Sequence, residues 1–311
     1  MFVSRKFSSL CLVVADWLWL LQIVCATFQH ETTATAFGEV VPTQALSTAL
    51  MATTMCTDGR SGFMVDPKRC EIVQLLLDAK ADVNDTNQAG ESALTGAAKN
   101  GYCTIVQRLI DAKADVNVKD TISATPTLRA CENNHVDTLK ILILAKADIN
   151  IACGNGWNPI IAAATAGLID VLQCLIESKA DLEATQSSGA TSTLKAATKG
   201  HYDTAMLLLQ AKSDPNNARG DGFTPLLFAA QFGHVDNAAL LLKFKADVNR
   251  CAKNMVEPLY LAAKNGHTEV VKVLLKFKAN VRSENGDWGT AAGKARTVGN
   301  HHIAALIEAA L

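Results

Sequence analysis

The chain has 311 residues, with 29 basic against 30 acidic side chains and a formal net charge of −1. A broad interface with nucleic acid requires a clearly basic surface, so this charge balance argues against nucleic acid as a partner. The sequence also lacks C-x-x-C, H-E-x-x-H and G-x-x-x-x-G-K-[S/T], which are short signatures of metal or phosphate sites. We therefore expect no catalytic residue, no cofactor and no metal site.

The first segment, residues 1–42, is predicted to be a hydrophobic leader. Two basic residues precede an apolar run from Leu10 to Val24, and small residues follow it, as in a secretory signal. Three interpretations stay open: a cleaved signal peptide, a signal anchor that holds residues 10–28 in the bilayer, and a leader without a targeting role, such as an apolar cap on the fold. Asp16 weakens the membrane interpretations, because a carboxylate at the bilayer centre costs about 2.5–3.5 kcal/mol.

A seven-residue phrase recurs at a fixed distance along the rest of the chain. DAKADVN ends at Asn84 and again at Asn117, and related phrases end every 33 residues as far as Arg282. A constant period without insertions predicts a repeat architecture, in which each unit packs on the preceding one. The fifth residue of the phrase is acidic in six copies and asparagine in the last: Asp82, Asp115, Asp148, Asp181, Asp214, Asp247 and Asn280.

One unit, residues 217–249, illustrates the predicted local structure. Gly222 indicates a turn, Thr224 is a helix N-cap, and Pro225 suits the first helical position because its missing N–H would be unpaired there. Gly233 ends this first helix, and a second helix with leucines on one side follows. Pairs of small residues mark the contact between first helices, and we expect leucines such as Leu241 to form the core between second helices.

Cysteine usage bears on the cellular compartment. The chain has nine cysteines, and those inside the regular repeats occupy five different repeat positions. Such positions cannot form a ladder of disulfides, because a disulfide requires Cα atoms within about 7 Å. Mostly reduced thiols are typical of the cytoplasm, which we favour for the repeats, whereas the leader leaves a secretory or membrane route open.

These residues resemble the ankyrin repeat, whose pattern is G-x-T-P-L-H-x-A-A-x-x-G-H…LL…G-A-D-V-N. The resemblance covers roughly residues 66–311. It implies an all-α ankyrin-repeat solenoid of stacked helix-turn-helix units with short hairpin tips. We expect a degenerate N-terminal capping repeat over residues 43–84, with a displaced first helix, six regular repeats over residues 85–282, and a C-terminal capping repeat over residues 283–311.

Two departures from the family pattern stand out. The histidine of T-P-L-H is absent, and we assign its place to Gly96, Leu128, Ile161, Lys195, Leu227, Tyr260 and Gly293. The glycine after the second helix, which usually has a left-handed backbone, is lysine throughout: Lys80, Lys113, Lys146, Lys179, Lys212, Lys245 and Lys278. The left-handed backbone costs lysine roughly 1 kcal/mol relative to glycine, and the helix dipole offsets about 0.3–1 kcal/mol of this.

The resemblance implies a protein-interaction module, a scaffold or adaptor without catalytic activity. Its partner would be a protein or an extended peptide, bound on the concave face made by hairpin tips and first helices. Carried over to this sequence, the expected contacts are Trp157, Phe223, Phe232, Val256, Thr121, Asn155, Asp221 and Lys253. The aromatic members would be the energetic anchors, although Trp157 and Phe223 have an alternative role, packing on their own hairpins.

Other functional classes were weighed against this one. A membrane-tethered or exported ankyrin protein would present the same surface elsewhere, and it would touch the membrane only through residues 10–28, if these are retained. A substrate-receptor subunit of an enzyme complex would need a recruitment motif, and none is visible outside the repeats. His135, His201, His234 and His267 recur with the repeat and have no second ligand nearby, so we do not expect them to bind metal. We expect a monomer.

Overall fold

The computed structural model describes residues 43–55, 67–282 and 289–311, and the regular elements in these ranges are helices. The predicted leader, residues 1–42, lies outside the described residues. In chain order the helices are α1 (Thr43–Met55), α2 (Pro67–Asp78), α3 (Ala93–Asn100), α4 (Cys103–Asp111), α5 (Pro126–Glu132), α6 (Val136–Leu144), α7 (Pro159–Ala166), α8 (Ile169–Glu177), α9 (Ser192–Lys199), α10 (Tyr202–Gln210), α11 (Pro225–Phe232), α12 (Val235–Lys243), α13 (Pro258–Asn265), α14 (Thr268–Lys276), α15 (Ala291–Thr297) and α16 (His301–Glu308).

The helices form pairs that stack within two compact units, and the division lies between Ala147 and Asp148. In the first unit the odd-numbered helices α1, α3 and α5 contact one another in succession, and the even-numbered helices α2, α4 and α6 do the same. In the second unit the two series run from α7 to α15 and from α8 to α16. We call the odd-numbered helices first helices and the even-numbered ones second helices. The predicted all-α stack of helix-turn-helix units is confirmed, and α1 contacts both α2 and α3.

Side-chain caps determine where the first helices begin. Thr224 Oγ1 accepts a hydrogen bond from the backbone N–H of Leu227 at 3.3 Å, and Pro225 opens the helix as predicted. The same capping bond is made at Ser92, Thr125, Asn158, Thr191 and Thr290. Each cap satisfies an N–H group that the start of a helix leaves unpaired, so these side chains set the register of the repeat.

In two repeats, the capping residues show that the place of the absent T-P-L-H histidine was assigned to the wrong residue. The position lies three residues after the cap, so in the repeat capped by Thr191 it is Leu194 and not Lys195. The same shift by one residue applies to Gly96. Both repeats lack the Thr-Pro pair, which is why the sequence pattern was aligned one residue too late there. Lys195 instead occupies the position that Phe228 holds 33 residues later.

The core follows the predicted division between small and large residues. The small pairs on the six first helices from α3 to α13 are fully buried: Ala97-Ala98, Ala130-Cys131, Ala163-Ala164, Ala196-Ala197, Ala229-Ala230 and Ala262-Ala263. Leu175 and Leu241, the predicted core of the second helices, are also fully buried. Short side chains let the first helices lie close together, while leucines fill the wider space between second helices.

The lysines after the second helices have the left-handed backbone that the family's glycine would adopt. Their φ angles lie between 63° and 71° in all seven copies. In each case the helix ends in the same way: Lys245 N–H donates to Leu242 O at 3.1 Å, and Ala246 N–H donates to Leu241 O at 2.9 Å. This is the Schellman arrangement, which satisfies carbonyl groups that a helix end leaves unpaired.

The acidic register of the repeated phrase forms a local turn. Asp247 Oδ1 accepts a hydrogen bond from the backbone N–H of Asn249 at 2.9 Å. The equivalent bond is made at every copy, with distances from 2.8 to 3.1 Å. An aspartate or asparagine side chain reaches the N–H two residues later without strain, so this residue type shapes the chain between one repeat and the next.

The recurring histidines connect adjacent repeats. His135, His201, His234 and His267 each place Nε2 3.0–3.1 Å from a backbone carbonyl 36 residues earlier. A carbonyl oxygen only accepts, so Nε2 carries the proton in each ring. The imidazole ring of His267 also explains why residue 233 is glycine. A Cβ on Gly233, whose φ is +76°, would lie 2.6 Å from Nδ1 of His267. Although the T-P-L-H histidine is absent, these histidines thus join each repeat to the preceding one.

Candidate functional site

The hairpin tips of the second unit form a continuous row, because the backbone of each tip is hydrogen-bonded to that of the next. The three bonds run from Ser187 N–H to Asn155 O (2.9 Å), from Gly220 N–H to Ser188 O (3.0 Å) and from Lys253 N–H to Asp221 O (3.0 Å). Three of the predicted contact residues, Asn155, Asp221 and Lys253, therefore lie in one row of tips. Thr121 has the corresponding place in the first unit, where its N–H donates to Ala89 O at 2.9 Å.

An aromatic cluster lies beside this row, on the first helix α11 and the turn that precedes it. Phe228 is buried, and the ring of Phe232 is stacked on it with centroids 6.2 Å apart and an interplanar angle of 6°. The ring centroid of Phe223 lies 5.2 Å from that of Phe228, with an interplanar angle of 46°. Phe232 keeps 48% of its surface exposed. The cluster therefore presents one exposed ring on a rigid aromatic support.

Arg219 is held against the same cluster. Its guanidinium carbon lies 5.2 Å from the ring centre of Phe228 and 5.9 Å from that of Phe223. Arg219 Nε donates to Asp221 Oδ1 at 3.1 Å, and Nη2 donates to Oδ2 of the same carboxylate. These hydrogen bonds raise the pKa of Arg219 and lower the pKa of Asp221. Ring contacts and a bidentate ion pair thus fix the orientation of this side chain.

Two lysines on the neighbouring helix α9 add positive charge. Lys195 is partly buried, and burial, together with the nearby charges of Arg219 and Lys199, lowers its pKa. Within the described ranges, neither Lys195 nor Lys199 makes a salt bridge. The residue of the first unit at the same repeat position is different, since Arg129 binds Asp120 at 2.6 Å and Glu132 at 3.1 Å. We call Lys195, Lys199, Arg219, Phe223, Phe228 and Phe232 the basic aromatic surface.

A comparison with protein families gives a match along most of the chain. The model described as ankyrin repeats (3 copies) matches residues 47–120, 63–153, 127–219 and 194–285. The chain belongs to the ankyrin repeat family. Ankyrin repeats in general are protein-interaction modules, and proteins of this family are typically without catalytic activity. A comparison with curated protein sequences found no match.

The structure of this ankyrin protein separates the predicted contact residues by exposure. Val256 is 4% exposed, so its expected place on the binding surface is wrong: the side chain packs inward. Trp157 and Phe223 are partly buried. Phe223 packs against a cluster that contains Phe228 of its own repeat and Ala190 and Leu194 of the preceding repeat. Among the predicted aromatic contacts, Phe232 is therefore the most accessible.

Four residues of the basic aromatic surface are not among the eight contact residues expected from the sequence: Lys195, Lys199, Arg219 and Phe228. Lys195 was instead assigned to the place of the T-P-L-H histidine, one residue after its actual position. A signal existed for Phe228, because it is four residues before Phe232 and side chains at this spacing lie on one helical face. The orientation of Arg219 depends on its bond to Asp221, which no spacing rule indicates.

Two further observations concern membrane and metal. In residues 43–55, 67–282 and 289–311, no helix is long and apolar enough to span a bilayer. The candidate anchor, residues 10–28, lies outside the described residues. Within the same ranges, no three His, Cys, Asp or Glu side chains are grouped so that they could hold a metal ion. The Nε2 groups of the recurring histidines instead donate hydrogen bonds to backbone carbonyls.

Proposed function

We propose that this ankyrin protein is an adaptor or scaffold that binds a protein, or an extended peptide of one, through the hairpin tips and first helices of its second unit. The observation that carries the proposal is Phe232, a large apolar side chain that is 48% exposed and stacked on the buried Phe228. Aromatic side chains are over-represented among the residues that dominate binding energy. A ring held by its neighbour loses little freedom on binding, which favours affinity.

The proposed contact set keeps most of the residues expected from the sequence. It consists of Asn155, Trp157, Asp221, Phe223, Phe232 and Lys253, all in the second unit, and it omits the buried Val256. Thr121 is the corresponding tip of the first unit and is proposed as a contact of that unit by itself. The row of hydrogen-bonded tips supports an extended partner, because its members are held at regular intervals. A partner would contact only the ring edge of a partly buried side chain such as Trp157, whereas it would contact a ring face of Phe232.

We also propose that residues 43–84 and 283–311 cap the two ends of six regular repeats, residues 85–282. Support at the first end comes from Arg69, which is buried and donates to Thr53 O at 3.1 Å and to Tyr102 Oη at 3.0 Å. Support at the other end comes from the charged pair that Arg296 forms with Glu308. In general, a repeat at the end of a solenoid needs a polar outer side, because no neighbouring repeat covers it.

Capture with the immobilised full chain, followed by affinity measurement on the captured partner, tests the proposed function. Phe232→Ala should weaken binding by about 2 kcal/mol, roughly thirtyfold in Kd, and combination with Trp157→Ala should weaken it further. Tyr202→Ala is the matched control, because Tyr202 is an exposed aromatic residue at the start of the second helix α10. Thermal midpoints of the variants should stay close to that of the parent. An unchanged affinity, or a large loss of thermal stability in Phe232→Ala, would place the binding surface elsewhere.

A further inference from the structure

Building on the proposed function, we infer that the basic aromatic surface receives an acidic peptide segment, in which carboxylates flank an apolar side chain. The apolar side chain would lie on Phe232, and the carboxylates would bind Lys195 and Lys199. This inference specifies the chemistry of a partner that the family membership leaves open.

The first argument is charge complementarity. Arg219 lies against the aromatic rings, and its charge and that of Lys199 act on Lys195. Within the described ranges, the acidic residue bound to these three cations is Asp221, which is paired with Arg219. Lys195 and Lys199 therefore contribute positive charge that no carboxylate of the described chain neutralises. At the same repeat position in the first unit, Arg129 is neutralised by Asp120 and Glu132. At this repeat position the charge is therefore paired in the first unit and unpaired at Lys195.

The second argument concerns the cost of keeping Lys195 charged. Its ammonium group is partly buried between other cations, and both burial and repulsion disfavour the charged form. A carboxylate from a partner would offset both effects at once. Charge-assisted hydrogen bonds are roughly twice as strong as neutral ones. An acidic ligand therefore gains more here than at an exposed lysine.

The third argument separates a peptide from a nucleic acid, whose bases could also stack on an exposed ring. Nucleic acid binding relies on several cations aligned with the phosphates. Here Arg219 is occupied by Asp221, whose carboxylate would repel a phosphate at the same place. The chain as a whole is also slightly acidic, with a net charge of −1. A peptide can place an apolar group on Phe232 and keep its carboxylates away from Asp221.

A random peptide library displayed on phage, selected on the immobilised full chain, tests the inference directly. Enriched peptides should carry net negative charge and an aromatic or aliphatic residue. For an enriched peptide made synthetically, Lys195→Gln with Lys199→Gln should raise Kd at least tenfold, and Phe232→Ala should do the same. The matched control is Lys243→Gln with Lys276→Gln, two exposed lysines at the ends of second helices, which should leave Kd unchanged. If the double variant misfolds, the single variant Lys199→Glu still tests the inference, because Lys199 is exposed.

Different results would overturn the inference. Neutral or basic enriched peptides, no enrichment at all, or tighter binding of poly(U) RNA than of any selected peptide would each contradict it. The proposed function can fail separately. If the captured cellular partner is lost with Phe232→Ala but retained at full affinity with both lysines replaced, the interaction surface stands and its acidic specificity is wrong.

Discussion

Asn216 Oδ1 accepts a hydrogen bond from the backbone N–H of Asp247 at 2.7 Å, across 31 residues of sequence. Its amide nitrogen also donates to Lys245 O at 3.2 Å, so one side chain joins adjacent repeats at two points. The same acceptor role is played by Asn84 for Asp115, Asn150 for Asp181, Glu183 for Asp214 and Asn249 for Asn280, at 2.7–2.9 Å. The last residue of the repeated phrase thus connects one repeat to the next.

Replacement of Asn216 with alanine should lower the free energy of unfolding by about 1–2 kcal/mol, because two hydrogen bonds of about 0.5–1.5 kcal/mol each are lost at a partly exposed site. Asn216→Asp keeps the acceptor and loses the donor, so its effect should be smaller. Urea denaturation of both variants measures this difference, with Gln210→Ala, an exposed helical position, as the control. Equal losses in both Asn216 variants would show that the acceptor bond contributes nothing.

Joint replacement of Lys113, Lys146 and Lys179 with glycine should change stability only slightly, although φ is 69°, 67° and 63° at these positions. Relief of left-handed strain favours glycine, while loss of the dipole interaction and the freedom of glycine in the unfolded chain oppose it. Lys140→Gly is the control in right-handed helical backbone and should cost about 1 kcal/mol. A rise in the free energy of unfolding above about 3 kcal/mol for the triple variant would show that strain dominates.

Replacement of Asn237 with valine should stabilise the protein by about 1–3 kcal/mol. Asn237 is 1% exposed, and neither its Oδ1 nor its Nδ2 has a hydrogen-bond partner among the described residues. An unpaired buried amide costs about that amount, and the equivalent position of the next repeat is the fully buried Val270. Thermal and urea unfolding measure the gain. Asn237→Ser retains a polar group and should show no comparable increase; a loss of stability with valine would indicate that the amide is satisfied after all.

The stability of the first unit should fall in mild acid because of His135. Burial lowers the pKa of this imidazole, opposed by its hydrogen bond to the Lys99 carbonyl. The unfolded chain takes up a proton near pH 6.5, before the folded chain does, so the contribution is complete above about pH 6.5 and is lost as pH falls through the lower folded value. His135→Gln should reduce the difference in unfolding free energy between about pH 7.5 and about pH 5.5, whereas His301→Gln, at an exposed position, should not. An unaltered pH dependence in His135→Gln would contradict the assignment.

Local chemistry made the repeat predictable. The capping bond of Thr224, Pro225 at the helix start and the left-handed Lys245 each depend on a few neighbouring residues, and the structure has all three as expected. Where a local signal was missing, the prediction slipped: without a Thr-Pro pair, Lys195 was placed in the wrong register. The prediction that Val256 contacts a partner was wrong for a related reason, because a position beside the turn does not reveal which way its side chain points.

The sequence by itself determined the period, the helix pairs, the small and large sides of the core and the family, since these follow from residue types repeated every 33 positions. Only the tertiary structure decided how neighbouring repeats are joined and what their surface presents. The Asn216 bonds, the histidine rings over glycines, the Arg219–Asp221 pair and the stacking of Phe232 on Phe228 all depend on side-chain directions. A periodic pattern specifies which residues are equivalent, but the contacts of a side chain depend on the non-equivalent residues packed around it.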